Sequence, residues 1–197
     1  LTGVRGIAAS RVLFVRDRRV WMVDSDGENA RPVTDRGALS PAWHPNGRAF
    51  VHSVLTDRGV QQIVAREVDG GARVLASGGV TNITPTVSRD GSTVVWAFGE
   101  ERGVDLFAVP FTGGERRRVT VGRGTDNTSP SFSPDGRRIV FTTGRLGNPE
   151  VYITDADGTN AEPLTQGTYG EQSYRSDPDW SPDGRLVAFQ SRVGGVF

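Results

Sequence analysis

Short apolar runs rich in β-branched residues recur along this chain. Examples are Val12-Leu13-Phe14-Val15 with Val20-Trp21-Met22-Val23, Phe50-Val51-His52 with Ile63-Val64-Ala65, and Val94-Val95-Trp96 with Leu106-Phe107-Ala108-Val109. Ile139-Val140-Phe141 with Val151-Tyr152-Ile153-Thr154 continues the series. Each run is bounded by Gly, Asp, Asn or Pro, the punctuation of strands and tight turns. No segment carries the i, i+3, i+4, i+7 spacing of an amphipathic helix. The pattern predicts an all-β protein.

The runs belong to a repeat. Ser40-Pro41-Ala42-Trp43-His44-Pro45-Asn46-Gly47 returns as Thr84-Pro85-Thr86-Val87-Ser88-Arg89-Asp90-Gly91 and as Ser129-Pro130-Ser131-Phe132-Ser133-Pro134-Asp135-Gly136. A fourth copy is Asp177-Pro178-Asp179-Trp180-Ser181-Pro182-Asp183-Gly184, and successive turn glycines stand 44, 45 and 48 residues apart. A period near 40–50 residues with turns inside each unit belongs to the blades of a β-propeller. Each unit reads as four antiparallel strands, A to D. The chain divides into a lead-in segment 1–10, a partial blade 11–39, blades 40–83, 84–128 and 129–176, and a partial blade 177–197.

Two chemistries compete for the Asp-x-Asp-Gly stretches at Asp24 to Asn29 and Asp155 to Asn160. Asp-Gly supplies the positive φ that tight turns need, whereas an EF-hand loop needs further carboxylates and a bidentate Glu beyond the Gly. Both stretches run directly into the next strand, and the equivalent turns Gly70-Gly71 and Gly113-Gly114 lack the acid pair. They are turns on this reading, and no metal or cofactor is expected.

Composition narrows the partners. The 23 basic residues, all Arg, balance 23 acidic ones, so no basic field favours nucleic acid or an anionic membrane. There is no Cys, which removes disulfides, thiolate metal sites and a thiol nucleophile. No apolar stretch approaches the roughly 20 residues of a membrane-spanning helix, and no membrane insertion is expected. Gly (26) and Pro (11) are abundant, as a turn-rich fold requires. Neither His44 nor His52 stands beside a persuasive nucleophile in sequence, and no Gly-x-Ser-x-Gly elbow is present. The chain is expected to be non-enzymatic.

Ser-Pro-Asp-Gly-Arg before an apolar strand, followed by Asp-x-Asp-Gly and Leu164-Thr165, resembles the WD40-like repeat of TolB-type propellers. The opening Leu1-Thr2-Gly3-Val4-Arg5-Gly6, with Arg11-Val12-Leu13-Phe14-Val15, is similar to the start of the first TolB blade. The resemblance covers essentially the whole chain. It implies a six-bladed, non-catalytic propeller of the bacterial periplasm, within the Tol–Pal system of envelope integrity, protein import and cell division. Its implied partners are a peptidoglycan-associated lipoprotein and other envelope proteins. Six blades need about 270 residues, so this chain is expected to be a fragment, its signal peptide and N-terminal domain lying outside it.

Strand alternation places the A–B and C–D turns on one face and the longer B–C and D–A connections on the other. Recognition resides more often on varied loops than on tight turns. At the channel end of the second face stand Leu39, Ser40, Thr81, Thr84, Thr128, Ser129, Ser176 and Asp177, the expected partner-binding ring. Tyr169, Tyr174 and Arg175 add interface anchors. Trp43 and Trp180 share a register with Phe132 and Val87 and are expected to pack between blades. Arg116 to Arg118 are expected to form a solvated outer edge. The rival reading is a propeller that gates a prolyl-oligopeptidase-like or tricorn-like serine peptidase.

Overall fold

In a computed structural model of the chain, residues 10–121, 126–167 and 173–193 are described. They form seventeen strands and no helix, in five antiparallel sheets. The first sheet is β1 (Arg11–Arg16), β2 (Arg19–Asp24) and β3 (Arg31–Pro32). The second is β4 (Ala38–Trp43), β5 (Ala49–Leu55), β6 (Gln61–Glu67) and β7 (Ala72–Ser77). The third is β8 (Thr81–Val87), β9 (Thr93–Glu100), β10 (Gly103–Pro110) and β11 (Arg117–Arg118). The fourth comprises β12 (Asn127–Phe132), β13 (Arg138–Thr143), β14 (Glu150–Asp155) and β15 (Glu162–Pro163); β16 (Ser173–Trp180) and β17 (Val187–Val193) form the fifth. Within each sheet the strands pair in chain order, and the first strands β4, β8, β12 and β16 touch one another in succession. This is propeller geometry: sheets stacked around an axis with strand A innermost.

The core lies in the seams between sheets. Val20, Met22 and Phe50 fill the first seam, Val51, Ile63, Trp96 and Phe98 the second. Val95, Leu106, Ile139 and Phe141 fill the third, and Val140, Val151 and Ile153 meet Trp180 in the fourth. Successive residues of one strand therefore enter opposite seams. A strand covered on both faces reads as an unbroken apolar run rather than an alternating one. Trp43 and Phe132 pack against the seams, as the repeat predicts.

The A–B turns are locked by a recurring local network. Ser88, Ser133 and Ser181 each donate an Oγ hydrogen bond of 2.6 Å to the Asp two residues on. That carboxylate also accepts a backbone N–H from Ser92, Arg137 or Arg185. These hydroxyl and amide donors hold Asp90, Asp135 and Asp183 below the usual carboxylate range. The C–D turns close likewise. Asn29 and Asn160, both at positive φ, donate Nδ2 to Asp24 and Asp155 at 2.7 and 2.6 Å. Asp157 accepts both the amide and the hydroxyl of Thr159. The acid pairs thus meet hydrogen-bond donors inside their own turns.

The three outer arginines are exposed, as expected of an outer edge, and each is also tethered. Arg116 lies 4.2 Å over the Phe98 ring, Arg117 donates to Ala156 O at 2.9 Å, and Arg118 pairs with Asp105.

Candidate functional site

Every strand A carries a β-bulge at its Pro. Leu39 pairs with Ser53 and Ala42 with Val51, so Ser40-Pro41 together face His52. Thr84-Pro85 face Trp96, Ser129-Pro130 face Phe141, and Asp177-Pro178 face Phe189 in the same way. Proline has no N–H to give the ladder, so within a sheet it settles at bulges or edges. The residue before it then takes the left-handed region: φ is 48° at Ser40, 49° at Thr84, 50° at Ser129 and 50° at Asp177. A non-glycine residue held there costs roughly 1–3 kcal/mol, and such strain clusters at functional sites.

Three of these residues form a hydrogen-bonded arc. The amide of Ser129 donates to Thr84 Oγ1 at 3.2 Å, and Ser129 Oγ donates to Asp177 Oδ1 at 2.6 Å. One step along the strands, Ser131 Oγ donates to Asp179 Oδ1 at 2.7 Å. Asp177 also accepts from Ser176 Oγ, and its amide donates to Thr142 Oγ1. Asp177 and Asp179 are exposed, whereas Thr84 and Ser129 are half-buried. The innermost strands therefore present hydroxyls and carboxylates in an ordered row.

The sequence set these residues just before strand A; they lie within it. Leu39, Thr128 and Ser176 precede the bulge and pair with Ser53, Thr142 and Gln190. Thr81 opens β8 opposite Gly99, and Tyr174 is exposed on β16. Tyr169 lies outside the described residues. Arg175 is engaged: its Nη1 meets Glu150 Oε1 at 2.8 Å, with the two side chains 16% and 3% exposed.

That ion pair is one form of a latch that the sequence reading missed. Asn82, Asn127 and Arg175 stand three residues before the bulge proline, and each reaches back to the previous sheet. Asn82 donates to Gln61 O and Asn127 to Asp105 Oδ1, at 3.1 and 2.9 Å. Gln61, Asp105 and Glu150 all stand fourteen residues past a turn glycine. A second component is the Thr after strand D: Thr120 bonds Asp105 at 2.8 Å and Thr165 bonds Glu150 at 2.5 Å. The available signal was the same repeat, followed at its polar rather than its apolar positions.

On the face of the longer loops, a groove of about 640 Å³ runs between the first two sheets, lined by Asp17, Arg18, Arg36, Leu55 and Asp57 among others. It belongs to the same loop face that the sequence singled out, and its charges are mixed.

Neither histidine is arranged for proton transfer to a hydroxyl. The amide of Asn46 donates to His44 Nδ1, so Nε2 carries the proton and donates to Gly91 O at 3.1 Å. His52 donates Nδ1–H to its neighbour's carbonyl, Ser53 O, at 3.2 Å. Burial pulls the His52 imidazole down to about 4, the Ser53 carbonyl opposing and Arg66 reinforcing the shift. The unfolded chain therefore takes up a proton below pH 6.5 that the folded chain refuses until about 4. Stability from this group is complete above pH 6.5 and declines across that window, at about 1.4 kcal/mol per pH unit. The four depressed aspartates, Asp90, Asp135, Asp157 and Asp183, act only in the carboxylate range below it. Urea midpoints measured between about pH 7.5 and pH 5 are expected to fall in the wild type and stay nearly level in His52→Phe. Equal slopes in the two proteins would remove His52 as the cause.

Fold and site together define a β-propeller whose inner strands carry a strained polar ring and whose described residues hold no group of three or more His, Cys, Asp or Glu suited to a metal. A family model for the TolB beta propeller domain matches residues 1–197, and the chain belongs to that family. It is 28% identical over 216 aligned positions to the Tol-Pal system protein TolB of Francisella tularensis, covering 100% of this chain and 48% of that one. It is 31% identical over 130 residues to the protein TolB homolog of Chlorobaculum tepidum, covering 63% of this chain and 30% of that one. The chain thus spans about half the length of these relatives or less. Among solved structures, TolB from Acinetobacter baumannii superposes with a TM-score of 0.81 at 22% identity, over 98% of this chain and 51% of that one. A puromycin-hydrolyzing peptidase of Mycobacterium tuberculosis gives a TM-score of 0.71 at 17% identity, over 95% of this chain and 33% of that one. At these identities the structural likenesses establish fold alone.

Proposed function

We propose that this chain is the propeller of a periplasmic, non-catalytic protein of the Tol–Pal system, and that it receives protein partners at the channel end of the loop face. The observation that carries this reading is the row of strained polar residues, Ser40, Thr84, Ser129 and Asp177, repeated on four innermost strands. Backbone strain repeated at one site is retained where surrounding structure over-determines it, a hallmark of sites that must be preorganised. Preorganised hydroxyls and carboxylates bind a polar peptide segment with little further loss of entropy. Exposed Tyr174 beside the ring supplies the amphipathic contact common at interface hot spots. The name Tol-Pal system protein, carried by the Francisella relative, supports the same assignment.

The test is capture of the cognate peptidoglycan-associated lipoprotein by the intact protein. Tyr174→Ala and Thr128→Arg are expected to weaken capture by roughly tenfold or more. Arg185→Ala, on the opposite tight-turn face, is expected to leave it unchanged. Capture reduced equally by Arg185→Ala, or by none of the three, overturns the choice of face.

A further inference from the structure

The first seam differs from the others at two coupled positions. Five residues past the turn glycines stand His52, Trp96 and Phe141, each almost fully buried. Three residues before the bulge prolines, Ala38 stands where the next two sheets have Asn82 and Asn127. In the second seam the two positions are joined, Trp96 Nε1 donating to Asn82 Oδ1 at 3.0 Å. The first seam has a smaller ring and a methyl in their place. A cavity of about 240 Å³ results, lined by Thr34, Ala38, His52, Val54, Val64 and Arg66 among others.

Its polar groups are incomplete in a particular way. His52 is 2% exposed, and its Nδ1 proton is used by Ser53 O. Its Nε2 is therefore a lone pair, and it has no partner among the described residues. The buried Nε–H of Arg66 has none either. Buried polar atoms of this kind are normally paired. The lining sets Asp35 against three arginines, Arg36, Arg66 and Arg73, the last stacked on Phe111, so its net charge is positive. What the cavity lacks is one anion and one hydrogen-bond donor. The aliphatic lining from Ala38, Val54 and Val64 favours a ligand with a short carbon skeleton over a bare inorganic ion. The volume holds roughly eight waters at about 30 Å³ each, or one small organic acid.

We propose that this cavity is a binding site for a small hydroxycarboxylate, its carboxylate on Arg66 and its hydroxyl donating to His52 Nε2. A ligand there bridges the first and second sheets and fills the space that the Trp96–Asn82 pair, both on the third sheet, takes up in the neighbouring seam.

The experiment titrates the intact protein with L-lactate, propionate and inorganic phosphate, following His52 imidazole resonances and the melting midpoint. Lactate is expected to shift both. Propionate, which lacks the donor, is expected to bind roughly tenfold more weakly, and phosphate more weakly still. The double variant Ala38→Asn/His52→Trp rebuilds the second-seam pair and is expected to abolish the lactate response; His52→Phe, the residue found at position 141, is the simpler filling variant. Absence of any His52 shift with lactate overturns the proposal whether or not the variants fold. So does an equal response to all three acids, or a midpoint shift that survives in a folded, filled variant.

Discussion

Replacing Arg175 by Met is expected to lower the unfolding free energy by roughly 3–5 kcal/mol. Its guanidinium meets Glu150 Oε1 at 2.8 Å where both side chains are mostly shielded from water. Removal takes the guanidinium away from the Glu150 carboxylate, which is 3% exposed and also accepts from Thr165 Oγ1 and the amide of Gly167. Stranding a buried charge costs far more than the pair contributed as a pair. The companion variant Arg175→Met/Glu150→Leu removes both charges and is expected to recover much of the loss. Urea unfolding at constant m reads both values. A loss below about 1 kcal/mol in the single variant would place the pair in the surface class and remove its role as a latch. The same measurement separates two roles of Arg175, because a residue that only met a partner protein would leave stability untouched.

Trp96→Ala is expected to cost roughly 3–5 kcal/mol through the cavity it leaves. Trp96 is fully buried and packs in one cluster with Val51, Ile63, Val94 and Phe98, joining the second sheet to the third. The variant also strands Asn82 Oδ1, which accepts from Trp96 Nε1 at 3.0 Å. Pairing it with Asn82→Ala removes the stranded acceptor but also the Asn82 Nδ2 bonds to Gln61 O and Gly78 O, so the double variant is expected to recover little of the loss. Thermal or urea unfolding checks both, and a single-variant loss under about 1.5 kcal/mol would mean that the seam collapses around the gap.

These effects arise from features of differing visibility in the amino-acid order. The strands were legible because both faces of each sheet are buried, so Val94-Val95-Trp96 and Ile139-Val140-Phe141 are apolar throughout. The turns were legible because Asn-Gly and Asp-Gly carry their own conformational requirement. The seam residues followed from register alone: Trp43, Phe132 and Trp180 occupy one position of the repeat, and that position packs against the seams. The candidate ring was half legible. The Ser-Pro and Thr-Pro pairs stood out, but they read as the approach to strand A. Their place inside it depends on strand B pairing across the bulge, a contact separated by a dozen residues. Arg175 looked like an exposed anchor because its partner, Glu150, lies 25 residues away in another sheet.

The sequence by itself determined the all-β class, the repeat length, the turns and the strand that each apolar run forms. Local chemistry dictates these, since each depends on residues within a few positions of one another. Only the tertiary structure decided which polar residues face the axis, which are consumed as latches between sheets, and where a seam is left unfilled. Those outcomes depend on pairs from different sheets, such as Ser129 with Asp177 or Arg175 with Glu150. Whether such a pair meets is set by how the sheets stack, which no short stretch of the chain encodes.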